Sequence, residues 1–252
     1  MGRLPGIRIR QHSRAGLRAQ MRRMVLTWLA AQSPAPTGCA CEVPTRGNRS
    51  NLVDVAAFWS ATRRRQGRAF QLPVRTALVL CVLSREECWN AGANPEELYR
   101  ELAECHAALP SLEARIRAEE PELRDDYMLF EEYAVWNYDR ARNPEYQRLR
   151  LRCQFLEEEL FRGTRMERIG RSDCADELYL AAPEGCVTAA QVMPGWGVLS
   201  VSNDGKTPIT LLRPAEPQRC LPEARLQLVQ AIAAAASDFV LAGYGTRHWP
   251  RL

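Results

Sequence analysis

Apolar residues near the start of the chain fall at helical spacing: Leu17, Met21, Met24, Val25, Trp28 and Leu29 recur every three or four positions. That period predicts a helix with one face docked on a core. Ser33-Pro34-Ala35-Pro36-Thr37-Gly38 ends it with a cluster of breakers. Three strands are then predicted in succession, as a meander-like unit: Cys39 to Val43, Leu52 to Phe58, and Thr76 to Leu83. The third is apolar on both faces, which marks a central strand covered on both sides. Between them, Pro44 to Asn51 reads as a hairpin loop and Ser60 to Gln71 as a basic loop.

From Pro95 to Arg162 the period returns to that of a helix. Leu98, Leu102, Cys105 and Leu109 form one stripe, Leu112 and Ile116 continue it after Pro110, and Tyr146, Leu149, Cys153, Leu156 and Leu160 form another. An aromatic cluster of Tyr127, Phe130, Tyr133, Trp136 and Tyr138 lies between them. This segment reads as a long helical hairpin inserted into a sheet domain, and it offers a surface for self-association or for a protein partner through residues 95–162. The sheet pattern resumes at Glu177 to Ala182, with a short helical turn at Val187 to Val192 and a strand at Val198 to Val201. A turn at Asn203-Asp204-Gly205-Lys206 leads to a returning strand at Ile209 to Leu212. An alanine-rich helix follows from about Pro222 to Leu241.

The expected fold class is therefore α/β, a mixed sheet core flanked by helices with a long helical-hairpin insertion. The expected organisation is a basic arm and N-terminal helix (1–38), a sheet core (39–94 and 172–243), the helical insertion (95–171) and a tail (244–252).

Charge alters this picture at two places. The formal net charge is +4, yet Met1 to Cys41 holds seven arginines and no acid, which leaves the remainder at −3. Arg63, Arg64, Arg65 and Arg68 form a second basic cluster. Both could neutralise phosphates with marked salt dependence. Lysine is nearly absent, Lys206 being the only one. The acid-free start resembles a transit peptide in composition, but the helical spacing favours a docked helix. Nine cysteines are scattered without CxxC spacing, which fits reduced, mostly buried thiols in a cytoplasmic protein. The apolar run Met24 to Ala31 is too short to span a bilayer, so no membrane partner is expected.

The order helix, three strands, helical segment, strand, turn and strand hairpin resembles the PD-(D/E)XK nuclease core. Asp176 to Gly185 followed by Val192 to Leu199, together with Cys41-Glu42-Val43 and Arg49 to Phe58, is similar to the MmcB-like DNA-repair family and its phage relatives. The likeness covers chiefly residues 39–90 and 175–213. It implies a restriction-endonuclease-like sheet and a role in DNA repair or in the processing of phage or mobile-element DNA. In that family two strand carboxylates hold Mg or Mn against the scissile phosphate, and a lysine two residues after the second carboxylate orients the attacking water. Asp54 and Glu42 would be the metal ligands here, with Glu87 as a third catalytic carboxylate. Arg49, Arg63, Arg64, Arg65 and Arg85 would contact the DNA or RNA backbone.

The chain departs from the pattern where chemistry needs it most. Aligning Ser84-Arg85 with the family's motif places Leu80 and Val82 where the glutamate and lysine should stand. Neither binds a metal nor handles a proton, so the site is incomplete or relocated. The bland reading of Asp54 is a buried acid paired with an arginine such as Arg49 or Arg75. That of Glu86 and Glu87 is a pair of acids favoured at a helix N-terminus.

Overall fold

The computed structural model describes residues 13–45, 48–65, 67–90, 94–124, 136–202 and 208–243. The predicted aromatics Tyr127, Phe130 and Tyr133, the turn at 203–207 and the tail 244–252 lie outside them. The chain divides into two units, residues 1–88 with 164–252, and residues 89–163.

The first unit is built on helix α1 (Arg14–Ala30) and the strands β1 (Gly38–Thr45), β2 (Asn48–Arg65), β3 (Arg68–Cys81), β4 (Glu177–Pro183), β5 (Gly197–Val201) and β6 (Ile209–Arg213). Helices α4 (Arg165–Gly170) and α5 (Pro222–Gly243) complete it. The six strands form one sheet in chain order. β1–β2, β2–β3 and β5–β6 pair antiparallel, whereas β3–β4 and β4–β5 pair parallel. The fold is thus α/β, a mixed sheet with flanking helices.

The N-terminal helix docks as its spacing predicts. Ser13 caps it by accepting the Gly16 N–H, and Met21, Val25 and Leu29 are its buried row. They pack on Val55, Ala57, Ala77, Val79, Cys81, Ala181 and Leu199. The alternate residues Leu78, Leu80, Leu178, Leu180 and Val198 are also buried, so β3, β4 and β5 are covered on both faces. At Gly197 a side chain is excluded by contact: a Cβ there would stand 2.4 Å from the ring of Tyr179, its partner across the ladder. Among the described residues one helix, α5, is long and apolar enough to cross a membrane. Its Leu228 and Ile232 are buried, and it packs along β1 and β3.

The second unit is a helical hairpin of α2 (Pro95–Glu119) and α3 (Pro144–Phe161), which pack on each other. α2 continues through Pro110 without ending there, and buries Leu102, Cys105, Leu112 and Ile116. α3 starts at Asn143, whose side chain accepts the N–H groups of Glu145 and Tyr146, and it buries Tyr146, Cys153, Leu156 and Leu160. This unit ends at Gly163 and not at 171, because α4 belongs with the sheet unit.

Strand lengths differ most from expectation. β2 and β3 are 18 and 14 residues long. Residues read as loop, 48–51 and 60–65 with 68–71, are strand, because none of these three stretches holds a glycine or proline to break an extended pairing.

Candidate functional site

Two places collect the residues singled out by sequence: an acidic centre beside α1, and the projecting end of the β2–β3 hairpin.

The acidic centre is governed by α1. Arg14, Arg18 and Arg22 lie four residues apart, so they form one row along the helix, each about 6 Å further along the axis. Arg22 is the innermost. Its Nε and Nη2 donate to Asp54 Oδ1 at 3.0 and 2.8 Å, while its Nη1 donates to Glu42 Oε1 at 2.6 Å. Asp54 Oδ2 accepts the Cys81 N–H at 3.0 Å and Arg165 Nη2 at 3.1 Å. Asp54 is fully buried, and its two oxygens receive four N–H donors. Burial would lower the Arg22 pKa, but the hydrogen bonds and charges of Asp54 and Glu42 more than offset this and raise it. The Cys81 thiol is pushed up, first by burial and then by the Asp54 charge.

Glu42 faces Asp54 across the β1–β2 ladder, between the pairs Cys41–Val55 and Val43–Val53. Its φ of 55° is a left-handed conformation, uncommon outside glycine. Its side chain is 61% exposed, so Arg22 ties it to the centre from the solvent side. Glu87 sits in the turn Arg85–Cys88 after β3 and pairs with both Arg14 (2.6 Å) and Arg18.

The three proposed catalytic carboxylates are therefore brought to one helix face, though each is answered by arginine. Arg22 stands between Asp54 and Glu42, with a cation's charge already supplied and the aspartate's lone pairs taken. A divalent ion does not fit this donor set. Among the described residues, no group of three or more His, Cys, Asp or Glu is arranged to hold a metal ion. The partners of Asp54 are Arg22 and Arg165, not Arg49 or Arg75. Arg75 instead forks onto Glu177 at 2.7 and 2.8 Å and lies 4.1 Å over the Trp59 ring. Arg49 and Arg65 belong to β2, but their side chains lie outside the described residues. Arg85 is half-buried in its turn.

The second place replaces the predicted basic loop. β1 accompanies β2 only as far as Phe58, opposite Gly38, and β4 joins β3 only from Ala77. Beyond these neighbours β2 and β3 continue, without a further strand among the described residues, as a two-stranded ribbon from Ser60 paired with Pro73 to Arg65 paired with Arg68. Six residues per strand give it a reach of roughly 20 Å. A bulge at its base, where Val74 is the extra residue between Pro73 and Arg75, re-aims the ribbon relative to the sheet. Arg63, Arg64 and Arg68 are exposed along it. No acid occurs from Val55 to Arg85.

Two further networks leave no mark in the spacing of the sequence. Asp176 accepts the Thr76 N–H and hydroxyl at 2.9 and 2.8 Å and takes the guanidinium of Arg225, fastening α5 to β3. Arg213 donates to the carbonyls of Ala189, Val192, Met193 and Trp196, which shapes the Met193-Pro194-Gly195-Trp196 turn before β5. The four-residue spacing of Arg14, Arg18 and Arg22 was the one legible signal for the arginine row.

No family model matches the sequence. No curated protein matches it. Among solved structures, the chain is similar to a protein of unknown function, SPO1766 from Silicibacter pomeroyi, at 14% identity and a TM-score of 0.38, over 84% of this chain and 82% of that one.

Proposed function

We propose that this is a nucleic-acid-binding protein that contacts phosphates through the β2–β3 ribbon, on a nuclease-like scaffold whose acidic centre is closed by arginines. The ribbon carries this reading. It is a projecting, acid-free element with Arg63, Arg64, Arg65 and Arg68 toward its end and, among the described residues, no third strand to cover it. Side chains held on paired strands are better placed for a groove than those of a loop, because the ladder fixes their spacing. The arginines of α1 contribute little, since Arg14, Arg18 and Arg22 are engaged with Glu87, Asp54 and Glu42. Hydrolysis through Asp54, Glu42 and Glu87 is disfavoured because each would have to release a guanidinium before it met Mg or Mn. A role in DNA repair or in phage or mobile-element DNA processing, in the cytoplasm, agrees with the family resemblance.

The test is incubation with plasmid and with single-stranded DNA, in Mg or Mn and again in EDTA. Retardation on a gel that is the same in all three conditions, with the DNA intact, is the expected result. Cleavage in Mg or Mn that stops in EDTA, and that is lost in an Asp54→Asn protein still able to retard DNA, would establish instead an active metal-dependent nuclease.

One observation favours a second reading. Leu151 and Phe155 lie one turn apart on α3 and are 64% and 50% exposed, an apolar pair suited to a protein partner or to self-association. Oligomerisation that depends on concentration, is lost in Leu151→Ser/Phe155→Ser and ignores DNA would support it.

A further inference from the structure

The two faces of the ribbon differ, and the difference bears on what it binds. Directly opposed residues in an antiparallel pair share a face. Ala61 opposes Leu72 and Arg63 opposes Phe70, which places Phe70 and Leu72 beside Arg63 on one face, with Arg68 two residues from Phe70 on the same side. Thr62 opposes Gln71, confirmed by a 2.9 Å hydrogen bond between their side chains, and Arg64 opposes Ala69 on the other face. Phe70 and Leu72 are 45% and 47% exposed, far more than side chains of the sheet core. One face is thus an apolar wedge edged by arginine, and the other is polar.

We infer that the ribbon binds double-stranded DNA, with Phe70 acting as a wedge that enters a base step from the minor groove and kinks the helix. This rests on the nucleic-acid reading above and deepens it. Three features point to a duplex rather than a single strand. Positive charge stands on both faces of a thin ribbon, Arg63 and Arg68 on one and Arg64 on the other, which suits a groove with a phosphate wall on each side. A single strand is gripped by several aromatic platforms in succession. The ribbon end offers one, Phe70, because Trp59 at its base is buried and covered by Arg75. One apolar side chain between arginines is what a wedge needs: the arginines hold the narrow groove while the ring unstacks one step. Leu72, the next residue on that face, stands where it would cover the opened step.

The experiment uses the full chain and a short duplex labelled at both ends, with binding read by anisotropy and bending by energy transfer. The unlabelled single strand serves as competitor. The wild type is expected to bend the duplex by at least about 20°, and the single strand to compete poorly. Phe70→Ala should lose the bend and weaken binding roughly tenfold, the scale of one lost base contact, whereas Phe70→Leu should keep a measurable bend. Because Phe70 is half in solvent, Phe70→Ala should keep the wild-type circular dichroism and melting. Binding without a bend, a bend unchanged in Phe70→Ala, or a preference for the single strand overturns the wedge and leaves phosphate binding by the ribbon standing. Failure to bind any DNA overturns both.

Discussion

Arg22 decides the character of the acidic centre. An aspartate inside a strand needs a counter-charge, and a metal or a guanidinium can supply it. Here Arg22 and Arg165 both reach Asp54, and the Cys81 N–H completes the set. Removing a buried carboxylate leaves its partners uncompensated, so Asp54→Ala should destabilise the protein by about 3–5 kcal/mol, read as a lower urea midpoint at unchanged slope. A stable Asp54→Ala protein would mean the centre is open to solvent and the pairing slack. The thiols give a pH prediction with a definite sign. Burial pushes Cys88 up to about 12 and Cys153 up to about 11, above the ordinary thiol value of about 9. A group whose pKa is raised on folding adds stability below its unfolded value and loses it as pH climbs toward the folded one. Stability should therefore be flat up to about pH 8 and decline through the window from 9 to 12, measured by urea unfolding under reducing conditions.

At the scale of elements, hydrophobic period carried most of the information. The row Met21, Val25, Leu29 gave the docked helix, and the apolar run Thr76 to Leu83 gave a central strand. What escaped was any element held by polar contacts. Ser60 to Gln71 alternates weakly and is full of arginine, so it reads as loop; its strand character comes from cross-strand pairing that sequence spacing does not display. The Arg22–Asp54 pair joins residues 32 apart, and Arg225–Asp176 joins residues 49 apart. Periodicity within one element is blind to both. The proposed catalytic carboxylates Asp54, Glu42 and Glu87 do converge on one helix face, but what they meet there is arginine. Two outcomes belong to this scale. Replacing residues 60–73 by an Asn-Gly turn should leave the melting temperature within a few degrees, because the ribbon is exposed and lies beyond β1 and β4, while abolishing retardation of DNA. Arg213→Lys cannot reproduce a planar fork onto four carbonyls and should cost about 2–3 kcal/mol, seen in the urea midpoint. No change there would show that the turn before β5 holds its shape unaided.

For the whole molecule, net charge understates the surface that matters. A chain of +4 carries most of its α1 arginines in internal pairs, while the ribbon holds four with no acid for ten residues on either side of Arg65. Binding should therefore be electrostatic, local to the ribbon and independent of metal. Its most direct test is the salt dependence of duplex binding, from 50 to 200 mM, for the wild type and for Arg63→Gln/Arg64→Gln/Arg68→Gln. Four phosphate contacts correspond to a log–log slope of about −3.6, and the loss of three should reduce its magnitude by about 2.7. A slope that stays the same in the triple variant, or binding that requires Mg, would contradict the assignment of nucleic-acid contact to the ribbon.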